Sequence, residues 1–167
     1  MSALRNKFSR IAVLLAAATL VSAFASPTAS ASTSAETVVN CFDQDGCFTG
    51  IRAATHTGYD RLVFDLTTGT RILDTSTNTT GIYYGNAGYA QYLTVKGNSY
   101  LFITMEPSYP GDGAVLDKTL SLPTIKGVQL TQYHAARTTF GISLGPSTRY
   151  NVFQLTSPNR VVVDVYR

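Results

Sequence analysis

Six tyrosines, Tyr83, Tyr84, Tyr89, Tyr92, Tyr100 and Tyr109, fall inside twenty-seven residues and are interleaved with Gly85, Gly88 and Asn86. The chain has ten Tyr and no Trp. A tyrosine ring offers a flat apolar face with a polar tip. Held beside small residues, such rings suit stacking against sugar rings or peptide stems. Strands also favour tyrosine, and its rings pack across strands without any ligand. Tyr84 and Tyr89 are the candidate ligand contacts in this stretch. Tyr59 and Arg61, from an earlier segment, complete the candidate set.

Hydrolytic chemistry requires a nucleophile, a base and a group that orients the base. Only His56 and His134 are available as histidines, and neither Gly-x-Ser-x-Gly nor His-Glu-x-x-His occurs. His56 with Asp60 is the one pairing that resembles a base and its orienter. The competing reading places His56 in a turn before Tyr59, solvated or hydrogen-bonded to it. Paired carboxylates hydrolyse glycosides, but Asp60 and Asp65 lie an odd number of residues apart and face opposite sides of a strand. Asp65 shares a face with Arg61, which reads as a surface charge pair. Glu106 ends a strand before Pro107.

Cys41 and Cys47 predict a disulfide in an exported chain. Cys-x5-Cys without nearby His is poor zinc spacing. Asp43-Gln44-Asp45-Gly46 lacks the six oxygen ligands and closing acid of a calcium loop and reads as a simple turn. No metal and no cofactor is expected. Asn78-Thr79-Thr80 matches a glycosylation sequon, with chance as the default explanation for so short a motif.

The elements that must carry these residues alternate with period two. Leu62, Phe64 and Leu66 share one face, while Tyr59, Arg61, Val63 and Asp65 share the other. Leu101, Ile103 and Met105 alternate with Tyr100, Phe102 and Thr104. Phe140, Ile142 and Leu144 follow the same pattern, as do Asn151, Phe153 and Leu155, and then Val161, Val163 and Val165. This is half-buried strand patterning. Breakers separate the runs, and Ser157-Pro158-Asn159 reads as a tight connection between Tyr150–Leu155 and Arg160–Tyr166. The expectation is an all-β fold, a β-sandwich or open barrel of short, mainly antiparallel strands. The only helical candidate is a short turn near Leu116 to Leu120.

The N-terminus places the domain outside the cytoplasm. Arg5, Lys7 and Arg10 precede an uncharged apolar run, Ile11 to Val21, followed by Ala23-Phe24-Ala25 and Ala29-Ser30-Ala31. That order predicts a signal peptide over 1–31, cleaved after Ala31 or after Ala25. A flexible tether with the disulfide loop follows over 32–46, then a β domain over 47–167. The run is too short for a spanning helix, so no membrane insertion is expected once it is removed. The formal net charge of +3 rests on 13 Lys+Arg against 10 Asp+Glu. Losing Arg5, Lys7 and Arg10 leaves ten against ten. A neutral chain with scattered basic residues does not suit nucleic acid.

Two segments resemble the AMIN-like domain family. The stretch from His56-Thr57-Gly58-Tyr59-Asp60-Arg61-Leu62-Val63-Phe64-Asp65-Leu66 looks like its first strand. Val152 to Val165, with Pro158-Asn159-Arg160-Val161-Val162-Val163-Asp164, looks like its closing hairpin, and Phe140 to Leu144 fits the strand before it. The resemblance spans about Cys47 to Arg167, with no matching segment over Thr70 to Leu120. It implies a small exported protein of a kind common in actinobacteria, acting as a non-catalytic module at or outside the cell envelope. Peptidoglycan or another glycan is the implied ligand, and no catalytic residue carries over. Two other readings stand beside it: a small secreted hydrolase using His56 and Asp60, and a secreted protein-binding or inhibitor module using the Pro107–Gly113 loop.

Overall fold

The computed structural model describes residues 38–167. The expected signal peptide, its two cleavage sites and the first part of the tether lie outside the described residues. Everything described is strand, turn or loop.

The first sheet is built from β1 (Cys47–His56), β2 (Tyr59–Leu66), β7 (Tyr109–Pro110), β11 (Tyr150–Thr156) and β12 (Asn159–Tyr166), in the order β11-β12-β2-β1-β7. The second contains β3 (Arg71–Asn78), β6 (Ser99–Glu106), β8 (Lys118–Thr119), β9 (Ile125–His134) and β10 (Arg137–Leu144), in the order β3-β6-β10-β9-β8. Between β3 and β6, β4 (Ile82–Tyr84) and β5 (Ala90–Tyr92) form a separate two-stranded hairpin. Pairing is antiparallel except between β1 and β7. The sheets do not close, so of the two expected architectures the sandwich is the one found.

The two inner faces enclose one core. Leu62, Phe64, Val161, Val163 and Val165 meet Leu101, Ile103, Met105, Phe140, Ile142 and Leu144. Phe140 is the hinge of an aromatic cluster, 5.0 Å from Phe48 and 4.7 Å from Phe64 between ring centroids. Both separations lie within the favoured range for edge and offset packing. On β2, β6, β10 and β12 the alternation read from the sequence is the alternation between core and outer face, but on β11 Tyr150 and Val152 pack against the core while Phe153 and Leu155 lie on the outer side.

The expected helical turn near Leu116 to Leu120 is not helical. Lys118 and Thr119 pair with Val128 and Gly127 at the edge of the second sheet. Pairing with β9 satisfies backbone groups that an isolated turn before Pro123 would leave to water. Residues 40–46, assigned above to the tether, are bonded to the domain. Asn40 and Asp112 exchange backbone hydrogen bonds of 3.0 and 2.9 Å, and Gly46 N–H donates to Thr68 Oγ1 at 2.6 Å. The Cys41–Cys47 disulfide closes this loop, with Cys47 fully buried.

Candidate functional site

The four candidate ligand contacts are placed on opposite outer faces of the sandwich. Tyr59 and Arg61 stand on β2, on the outer side of the first sheet. Tyr84 and Tyr89 belong to the β4–β5 hairpin, which lies over the outer side of the second.

That second placement follows from two glycines. A Cβ at Gly141 would come within 2.6 Å of Leu93, and one at Gly127 within 2.7 Å of Val95. Their absence lets Leu93 and Val95 seat directly on β10 and β9. Leu93, Tyr100, Phe102 and Tyr83 form a second small apolar cluster there. Ser143 Oγ donates to the Val95 carbonyl at 2.7 Å, and Thr94 N–H donates to Gln129 Oε1 at 2.9 Å. Of the tyrosine-rich stretch, Tyr83 and Tyr100 are thus spent on packing. Tyr84, Tyr89 and Tyr92 remain 66, 76 and 58% exposed on a hairpin pinned from below.

The outer side of the first sheet carries a cleft of about 400 Å³. Antiparallel register assembles it: Val63 opposes Arg52 on one side and Val162 on the other, and Leu155 opposes Arg160. Val63 and Val162 form an apolar floor, and Val162 is only 1% exposed although it faces outward. Arg52, Arg61 and Arg160 rim it.

The arginines are held by two aspartates. Arg61 forms a bidentate pair with Asp164, both bonds 2.7 Å. Its guanidinium also lies 5.3 Å from the Tyr59 ring and 5.6 Å from Phe153. Arg52 forms a bidentate pair with Asp65 at 2.6 and 2.9 Å, and Arg160 Nε reaches the same carboxylate at 3.2 Å. The Arg52 hydrogen bond, with the charges of Arg52 and Arg160, holds the Asp65 carboxyl below its ordinary range despite the opposing effect of burial. The expected Arg61–Asp65 pair is not formed. Four residues along one strand span about 13 Å, whereas cross-strand neighbours stand about 5 Å apart. Arg61 therefore takes its cross-strand partner, Asp164.

His56 and Asp60 do not meet as a base and its orienter. The Thr57-Gly58 turn sets His56 opposite Tyr59 and Thr55 opposite Asp60. The His56 ring stacks on Tyr59 at 4.8 Å and is exposed, which corrects the hydrogen bond considered for that pair. Asp60 has the parity of Leu62 and Phe64 and is buried completely. Its carboxylate accepts hydrogen bonds from Thr55 Oγ1 (2.8 Å), Thr124 N–H (2.5 Å), Thr124 Oγ1 (2.8 Å) and Arg167 Nη2 (3.2 Å). Burial pushes this carboxyl up, but those four donors outweigh it and hold it below the ordinary range. His134 is exposed at the end of β9. Glu106 pairs with Arg137 at 2.8 Å.

The remaining sequence candidates are structural. Asn78 Oδ1 accepts from the Thr80 and Gly81 N–H groups, and its Nδ2 donates to the Ile82 carbonyl at 2.9 Å. The sequon amide is thus engaged in a turn. The Pro107–Gly113 loop is not displayed as a free binding loop, because β7 pairs with β1 and Ser108 and Gly111 are buried. Among the described residues no three His, Cys, Asp or Glu side chains gather as a metal site, and no helix is long and apolar enough to cross a membrane.

Sequence reasoning missed Arg52 and Arg160, which lie on different strands and share Asp65. The available signal was parity: each stands on the outward phase of its strand. A family model described as AMIN-like domain matches residues 46–167, running through the middle region that offered no recognisable segment. No curated protein and no solved structure matches the chain.

Proposed function

The chain belongs to the AMIN-like domain family, and from that premise we propose that it is an exported, non-catalytic binding module that attaches to peptidoglycan or another wall glycan. AMIN-like domains are associated with peptidoglycan-related binding at the envelope. The observation that carries the reading here is the β4–β5 hairpin, whose Tyr84, Tyr89 and Tyr92 are exposed while their neighbours fix the hairpin to the second sheet. Aromatic faces held in place stack on sugar rings at little cost in side-chain ordering. A disulfide is consistent with a location outside the cytoplasm. The site residues of this reading are Tyr84 and Tyr89 on one face, with Tyr59 and Arg61 bordering the other.

The test is co-sedimentation of the purified protein with washed cell walls. The wild type pellets with the walls, and the Tyr84→Ala/Tyr89→Ala double variant pellets in a clearly smaller fraction while its melting temperature is unchanged. Equal pelleting of the two would overturn the role of the hairpin.

A further inference from the structure

The arginine-rimmed cleft of the first sheet has one positive charge left over. Three guanidiniums, those of Arg52, Arg61 and Arg160, face two carboxylates, Asp65 and Asp164. Arg61 uses Nε and Nη2 on Asp164, and Arg52 uses the same two nitrogens on Asp65. Arg160 has only a single 3.2 Å bond from Nε to an oxygen that Arg52 already holds. Among the described residues its two terminal nitrogens have no partner. Those nitrogens form the planar fork that receives a carboxylate through two parallel hydrogen bonds.

The surroundings limit which anion fits. Arg160 and Leu155 line both the main cleft and a smaller adjoining one of about 160 Å³. Beside the fork, the floor is Val63 and Val162, with Ala54, on the outward phase of β1 opposite Arg61, adding to the apolar lining. A ligand seated on Arg160 therefore places its charge at the rim and small apolar groups against the valines. A volume of about 400 Å³ accommodates a fragment the size of a dipeptide.

We propose that this cleft binds the terminal carboxylate of a short peptide with methyl side chains, with Arg160 as the carboxylate receptor. This rests on the wall-binding reading and deepens it: the tyrosine hairpin takes sugar rings, and the opposite face takes the free acid end of a peptide stem. A monoanion matches the single surplus charge. A phosphodiester offers the same charge but has no small apolar side chains to cover the valine floor.

The experiment titrates the full protein with acetyl-D-Ala-D-Ala, its C-terminal amide and the phosphodiester glycerophosphoglycerol, following backbone amide shifts of β2 and β12 by NMR. The free acid is expected to bind at least tenfold more tightly than the amide, with the phosphodiester no better than the amide. Arg160→Gln should abolish the preference for the acid, and Arg160→Lys should retain part of it. Equal binding of acid and amide, tighter binding of the phosphodiester, or no shift with any probe would overturn the assignment. The acid–amide comparison is made on the wild type, so it stands whether or not the variants fold. Walls that pellet the protein while the acid does not bind would sink this inference alone. Acid binding without wall binding would sink the wall reading instead.

Discussion

Asp60 on β2 accepts a 2.5 Å hydrogen bond from the backbone N–H of Thr124, which stands immediately before β9 in the opposite sheet. This is a polar clasp between the two layers, and Thr124 Oγ1 extends it by donating to Asp60 and lying 3.1 Å from the Val165 carbonyl of β12. Arg167 Nη2 adds the weakest of the four donors, at 3.2 Å, to those of Thr124 and Thr55 that hold the buried carboxylate in its charged form. The clasp explains why a carboxylate occupies a core position on an otherwise apolar strand face.

Removing one partner from a buried charged network strands the others. Asp60→Ala is expected to destabilise the fold by about 3 kcal/mol, measured by urea unfolding at pH 7. Asp60→Asn should cost less, because it retains an acceptor for Thr124.

The same carboxylate predicts the acid limb of stability. Its folded pKa is depressed, as is that of Asp65. The stability they contribute is present above the unfolded carboxylate value, about 3.9, and is lost as pH falls through the folded values. Melting temperature should therefore be flat from pH 7 to 5 and drop below about pH 4. Asp60→Asn should have a shallower drop. A wild-type drop centred near pH 6 would contradict this assignment.

The β9–β10 hairpin turns through Ala135 and Ala136, which have φ of 49° and 60°. Two successive left-handed residues are the geometry that Asn-Gly adopts with least strain. Replacing Ala135-Ala136 by Asn-Gly should stabilise the domain by about 1 kcal/mol, read as a rise in melting temperature with unchanged wall binding.

The Cys41–Cys47 bond closes a short loop whose ends are also held by Asn40–Asp112 and Gly46–Thr68. Loop-closure entropy assigns it about 2 kcal/mol. Cys41→Ser/Cys47→Ser should lower unfolding free energy by that amount or less and leave the protein folded.

The strands were legible because burial alternates along them, and Leu62, Phe64, Phe140 and Ile142 could each be placed on an inner face by parity alone. Asp60 shares that inward parity, yet the sequence offers it only as an orienter of His56; its partner Thr124 is 64 positions away, and only sheet packing brings them together. The charge pairs failed for the same reason. Along its own strand Arg61 has Asp65 as the apparent partner, whereas register delivers Asp164 from β12. Arg52 and Arg160 looked like isolated basic residues because nothing local reveals that both converge on Asp65. Within the tyrosine stretch, composition could not separate ring from ring. Gly127 and Gly141 decide that Leu93 and Val95 sit down on the sheet, and so that Tyr84 and Tyr89 face outward.

Attachment to the wall without turnover is decided by incubating the protein with purified peptidoglycan and measuring, in the same samples, the fraction of protein pelleted and the soluble fragments released over time. Protein should pellet with the polymer, and fragment release should stay at the level of polymer alone. Protein left in the supernatant, or fragment release that His56→Ala abolishes, would contradict it.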